Sequence, residues 1–280
     1  HTRPLSILFA SMFAISVYNF LDTLILGFIS GNEAVGYFTV SSRISRLPLT
    51  FVMVLVPVMI PKIASSIDLG NTTEVQALIN KSLRFVITLG LPLTAGCIVA
   101  APEIIYLFAG KDFEPAILTL QILAPLIIII GLTTNYSTQL LVPMGADKYL
   151  LRAVITGTCA SLCLNLIFIP HWSYNGAAIT GIITELIVLF CCIYYVRKII
   201  SIKFPISSFI RDTIAIIPFW LFATLTRHHV DSQIGILALV IVSSSCYYFA
   251  VQVFVFKNEQ IISLLNSVKL FSQNKSIVSK

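Results

Sequence analysis

The chain has 280 residues, of which 57% are hydrophobic and only 11% charged, with a formal charge of +6 and a mean hydropathy of +0.94. Soluble domains carry about 25% charged residues. No water-soluble core hides this much apolar surface, so a soluble enzyme or nucleic-acid-binding protein is excluded and the bilayer is the solvent.

Apolar runs long enough to cross a bilayer fall at about 4–29, 36–61, 83–101, 116–142, 151–170, 177–196, 213–226 and 234–256. The expected fold is therefore all-α, a polytopic transmembrane helix bundle of about eight spans. The breaks "SGNEAVG", "IDLGNTTEVQ", "APEIIYLFAGKDFEP", "PMGADKY", "PHWSYNG", "RKIISIKFPISSFIRD" and "RHHVDSQ" hold the Gly, Pro, Asn and Asp punctuation of loops. Alternating apolar and basic residues in "IISIKFPISSFIRD" suit a helix lying on anionic lipid, and a solvated connector fits as well.

Basic residues divide unevenly between the two sides. One side holds Arg3, Lys62, Lys81, Arg84, Lys148, Arg152, Arg197, Lys198, Lys203, Arg211 and the four lysines that follow Phe256, whereas the other holds Lys111 and Arg227. Positively charged loops stay in the cytoplasm, so both ends of this chain are expected there. No charged segment with a cleavage site marks a signal peptide. His1 is not an initiator methionine, and the chain is expected to start within a longer protein. Cys97, Cys159, Cys163, Cys191, Cys192 and Cys246 all lie in apolar runs, with no Cys-x-x-Cys pair and no adjacent His, and are read as small packing residues. No cofactor or metal is implied.

Four ionisable residues sit inside spans: Asp22, Arg43, Arg46 and Glu185. Each charge at bilayer depth costs about 2.5–3.5 kcal/mol. Counting ~1.5 Å per residue places Asp22 and Arg43 at matching depth on consecutive helices, with Arg46 and Glu185 deeper. Two salt bridges would account for all four. Alternatively, the charges face a wet cavity on a transport path. Arg43 and Arg46 are three apart and share a helix face, and two guanidiniums on one face suit a phosphate or pyrophosphate. Candidate polar lining comes from Tyr18, four residues before Asp22, from Asn135 and Gln139 in "TTNYSTQ", and from Asn165. The amides serve equally as interhelical hydrogen bonds. Prolines at 48, 57, 61, 92, 125 and 218 break the spans, and such bends are tolerated where neighbours re-satisfy the backbone.

The stretches "NFLDTLILGFISGNEAVGYFTVSSRISRLPL", "VMIPKIASS", "APEIIYLFAGKDFEPAILTLQILAPLIIIIGL", "LLVPMGADK" and "LNLIFIPHWSYNGAAITGIITE" follow one another in the order typical of bacterial polysaccharide flippases. The sequence resembles the O-antigen and lipid-linked oligosaccharide branch of the multidrug/oligosaccharidyl-lipid/polysaccharide exporter superfamily. The resemblance implies a carrier of undecaprenyl-pyrophosphate-linked glycan units that works by alternating access across the bacterial inner membrane, for polysaccharide or lipopolysaccharide biosynthesis. It also implies two six-helix lobes, of which this chain matches the second plus two extra helices. Residues 1–200 would form the lobe, 201–212 an interfacial connector, 213–256 the added helices and 257–280 a cytoplasmic basic tail. Implied partners are the lipid-linked oligosaccharide, membrane lipids, the missing amino-terminal lobe, and polysaccharide polymerase and chain-length machinery. In the lipid II flippase branch the matching helix carries Arg and, five residues later, Pro; Arg43 and Pro48 fit that pattern, while the position of Arg46 need not be basic there.

Three other readings remain open on the residues. A cation-coupled multidrug exporter would share the fold and use Asp22 and Glu185. A membrane glycosyltransferase would need a larger outer loop than "KDFEP" or "RHHVDSQ" supplies. A half-transporter without activity of its own is the third.

Overall fold

The computed structural model describes residues 2–230 and 232–257, with side chains at Phe9 and, within those residues, from Phe20 onward. The described residues form eleven α-helices: α1 (Thr2–Arg46), α2 (Leu49–Val52), α3 (Val56–Asp68), α4 (Thr72–Val99), α5 (Ala101–Phe108), α6 (Ala116–Leu123), α7 (Leu126–Tyr136), α8 (Asp147–Arg197), α9 (Ile206–Ala215), α10 (Pro218–His229) and α11 (Gln233–Ala250). Short π-helical segments extend α7 over Ser137–Leu141 and α11 over Val251–Val255. The expected all-α transmembrane bundle is what forms.

The two longest helices are not straight rods. In α1, Gly31 has φ 83° and ψ 179°. A Cβ placed on Gly27 would lie 3.5 Å from Cγ2 of Val35, although eight helical residues normally span ~12 Å. The chain therefore turns back at Gly31, where a residue without Cβ accepts positive φ at no steric cost. Helix α8 does the same at Ser173 (φ 48°), just after Pro170. Five helices pass as bilayer-crossing by length and composition, or six when the bent pair around 53–55 is joined. Splitting α1 and α8 at their fold-backs gives eight crossings, as the apolar runs foretold. The turn-backs occupy single residues, so the loops expected at "SGNEAVG" and "PHWSYNG" are largely helical.

Gly176 makes the α8 turn possible. A Cβ there would sit 2.3 Å from the carbonyl oxygen of Phe168, a backbone atom with nowhere to go. Gly176→Ala should lower stability by about 1–3 kcal/mol through overpacking. Gly181→Ala, where a Cβ meets nothing within 4 Å, should be neutral or slightly stabilising. Thermal unfolding of both variants in detergent checks the contrast, and equal melting temperatures would remove the claim.

Prolines shape the remaining helices. Pro48 separates α1 from α2, Pro57 opens α3, Pro125 divides α6 from α7, and Pro218 starts α10, each where a missing N–H is least damaging. Asn71 caps α4 by accepting from the Glu74 N–H at 3.1 Å, and its own amide reaches the Glu74 carboxylate, also at 3.1 Å.

Contacts near the helix ends and fold-backs define the two ends of the bundle. At one end Tyr37 of α1 meets Phe113 and Tyr174 edge-on, at 5.5 and 5.4 Å, and Thr119 donates to Asn175 at 2.8 Å. Lys111 and Arg227 belong to this end. At the other, Gln76 donates to the Ser201 carbonyl at 2.9 Å and Tyr149 stacks on Tyr195 at 4.7 Å.

The main core runs between α4, α6, α7 and α8, where Ile87, Leu120, Ile127 and Leu140 are fully buried. A second cluster of Leu26, Phe38, Leu123 and Ala177 ties the two fold-backs together. A third, with Ala95 and Val99 of α4 against Ala215, Phe219, Ala223 and Val240, seats the last helices. Phe28 is 90% exposed and Phe254 79%, positions that only an acyl-chain solvent makes comfortable.

Two expectations change in detail. Only Ser201–Pro205 of the connector is non-helical; α9 begins at Ile206 and joins α10 as one span of 24 residues. Asp212, at the end of the proposed surface connector, is fully buried, because it bonds to neighbouring helices. Among the cysteines, Cys97 and Cys192 are buried, but Cys159, Cys163 and Cys246 are exposed and all six are free thiols. A thiol on a lipid-facing surface needs no burial in protein.

Candidate functional site

On the second arm of α1, positions 39, 42, 43 and 46 recur at helical spacing and share one face. The opposite face turns inward: Ser41 donates to the Ala116 carbonyl at 2.8 Å and Ile44 enters the core. The exposed face meets the first arm of α1, and between them lies a cavity of about 330 Å3 lined by Phe20, Asp22, Thr23, Phe38, Thr39, Ser42, Arg43 and Arg46. The fold-back at Gly31 is what makes two arms of one helix into the walls of one site.

Arg43 and Arg46 are both exposed on this wall, and Asp22 is buried beneath it. Asp22 and Arg43 share the cavity, but among the described residues no ion pair joins them. The Asp22 carboxylate instead accepts from Asn165 Nδ2 at 2.6 Å and from Ser161 Oγ at 3.1 Å, both on the first arm of α8. Asn165 also donates to Ser161 at 3.2 Å. The charges of Arg46 and Glu185 act on Asp22 as well, in opposite senses. Arg43 and Arg46 bring two guanidiniums to this wall, with hydroxyls of Thr23, Thr39 and Ser42 around them. Such a surface grips an anion through charge-assisted bonds.

The other candidates are placed differently. Asn165 is fully buried behind Asp22 and orients it. Glu185 is half-buried on the second arm of α8, off the cavity wall. Asn135 folds its amide onto the Gly131 carbonyl at 2.9 Å, within its own helix. Gln139 is fully buried in the π-helical segment, with both polar atoms unpartnered. Neither Asn135 nor Gln139 lines the cavity. The side chain of Tyr18 lies outside the described residues. Ser161 was missed by sequence reasoning, although its place four residues before Asn165 puts it on the same face. Among the described residues no cluster of three His, Cys, Asp or Glu could hold a metal.

Comparison with known proteins gives the chain's relatives. Residues 6–118 match the family described as polysaccharide biosynthesis protein. The chain is 28% identical over 190 residues to a protein of Escherichia coli strain K12 named "Putative O-antigen transporter", covering 68% of this chain and 46% of the relative. It is 24% identical over 243 residues to "Probable flippase AglR" of Haloferax volcanii, covering 83% and 49%. The fold superimposes on the lipid II flippase MurJ in an inward closed conformation with TM-score 0.76 and 18% identity, over 88% of this chain and 52% of that one. The chain is similar in sequence to glycan transporters and flippases and shares its fold with the lipid II flippase. A multidrug-resistance transporter of the MOP superfamily in an outward-facing conformation matches at TM-score 0.58 and 16% identity, over 86% of this chain and 60% of that one. The chain is a multi-pass membrane protein, and it spans about half the length of the curated relatives it matches.

Proposed function

We propose that this chain is the substrate-gripping half of a flippase that carries undecaprenyl-pyrophosphate-linked O-antigen or other polysaccharide repeat units across the bacterial inner membrane by alternating access. The carrying observation is the cavity between the arms of α1, which is lined by two arginines, Arg43 and Arg46, on one helix face. Its ~330 Å3 lies at the small end of ligand sites, enough for a pyrophosphate headgroup but not for a lipid-linked glycan. The sugars and the lipid would extend beyond this chain's cavity, toward a second lobe. The names of the relatives, transporters and flippases of glycans, support the same reading. The excess of basic residues at the end that holds Gln76 and Ser201 supports a cytoplasmic placement of that end.

The test uses the full-length protein in nanodiscs and follows its melting temperature during titration. Undecaprenyl pyrophosphate should stabilise it in proportion to occupancy, undecaprenol should not, and a cationic dye should not. Stabilisation by the dye alone would favour the multidrug reading, in which Asp22 and Glu185 bind a cation.

A further inference from the structure

The last helices meet the lobe through α4 and α5, and they touch α4 at two points where its own backbone bonding is incomplete. Pro92 lies inside α4. Proline has no N–H, so the donor that helix geometry would bring to the Thr88 carbonyl is absent. Tyr248 of α11 donates its hydroxyl to that carbonyl at 2.9 Å. At the end of α4, the guanidinium of Arg227 donates to the carbonyl of Val99, the final helical residue, at 2.7 Å.

The Tyr248 contact closes a ring. Gln252 Nε2 donates to the Tyr248 hydroxyl at 2.8 Å and to Oδ1 of Asp212 at 2.9 Å, while Thr88 Oγ1 donates to Oδ2 of Asp212 at 3.0 Å. Asp212 and Gln252 are fully buried. Two helices, α9 and α11, thus converge on one residue of α4, and they do so where its ladder is interrupted. The lipid core holds no water to replace the missing proline donor, and Tyr248 brings a hydroxyl to that carbonyl from another helix. Packing alone would be served equally by phenylalanine at position 248, whose ring would keep the edge-on contact that Tyr248 makes with Phe219 at 6.2 Å.

We propose that the carboxy-terminal helices α9–α11 act as a splint on α4, holding its Pro92 bend by capping the Thr88 carbonyl with the Tyr248 hydroxyl. The splint is independent of what the cavity binds.

Such a splint couples two residues on different helices. Pro92→Ala returns an N–H that can reach the Thr88 carbonyl, making the Tyr248 hydroxyl partly redundant. Melting temperatures of wild type, Tyr248→Phe, Pro92→Ala and the double variant are compared in nanodiscs. Tyr248→Phe should lower the midpoint by a few degrees in the wild-type background and by less than half as much in the Pro92→Ala background, the remainder reflecting the Gln252 bond. An equal drop in both backgrounds overturns the proposal. Should Pro92→Ala fail to fold, hydrogen exchange on Tyr248→Phe decides. Exchange several-fold faster across residues 89–96, relative to the start of α4, supports the splint, and unchanged exchange there overturns it.

Discussion

Replacing Arg43 by alanine in the full-length protein is expected to cut glycan export about 30-fold or more, with the protein still present in the membrane at its normal level. On the proposed function, the rate loss follows from removing charge-assisted bonds to a pyrophosphate, worth about 2–3 kcal/mol, at about 1.4 kcal/mol per tenfold. The unchanged level follows from the structure: Arg43 is exposed and lines the cavity, so its loss strands no buried carboxylate. Arg43→Lys should fall between, because an ammonium keeps the charge but not the planar fork. Asp22→Ala provides the contrast. It strips the acceptor from Asn165 and Ser161 in a buried place, so it should reduce the amount of folded protein as well as export. Export from Arg43→Ala at the wild-type rate, measured by surface glycan per unit of membrane protein, would end the anion-site reading.

What the sequence reveals about this site is depth, and what it withholds is direction. Counting residues along the apolar runs puts Asp22 and Arg43 at the same level, and the structure puts both in one cavity. Yet depth says nothing of azimuth. The partners of Asp22 are Ser161 and Asn165, 139 and 143 residues away, on a helix whose rotation is set by packing. The same blindness affects Asn135, whose polar appearance in "TTNYSTQ" conceals a bond to its own helix. Eight crossings were legible because twenty apolar residues have few other fates in water-free surroundings. The turns at Gly31 and Ser173 were legible only as loops, since a reversal achieved by one residue leaves no compositional trace. Asp212 reads as the end of a surface connector because apolar and basic residues alternate through "IISIKFPISSFIRD". Its burial depends on Thr88 and Gln252, neither of which is near it in sequence.

The largest loss of stability is expected from Arg227→Ala. Arg227 grips Glu103 in two-pronged fashion, Nε to Oε1 at 2.7 Å and Nη2 to Oε2 at 2.9 Å, and also reaches the Val99 carbonyl. The side chain of Glu103 is 6% exposed and that of Arg227 37%. Removing one partner of a fully buried pair costs about 3–5 kcal/mol, mostly because the other charge is left alone. Arg227 is partly screened, so about 2–4 kcal/mol is the expected loss. At ~2–4 °C per kcal/mol for a chain of comparable size, the melting midpoint should fall by roughly 5–15 °C. The mechanism makes a sharper demand than the magnitude. If the damage is a stranded carboxylate, then Arg227→Ala combined with Glu103→Gln must be more stable than Arg227→Ala alone, because a neutral amide tolerates the vacated site far better. A double variant no better than the single one would mean that α10 is held by its apolar seat, Phe219 and Ala223 against Ala95 and Val99, and that the ion pair contributes only geometry.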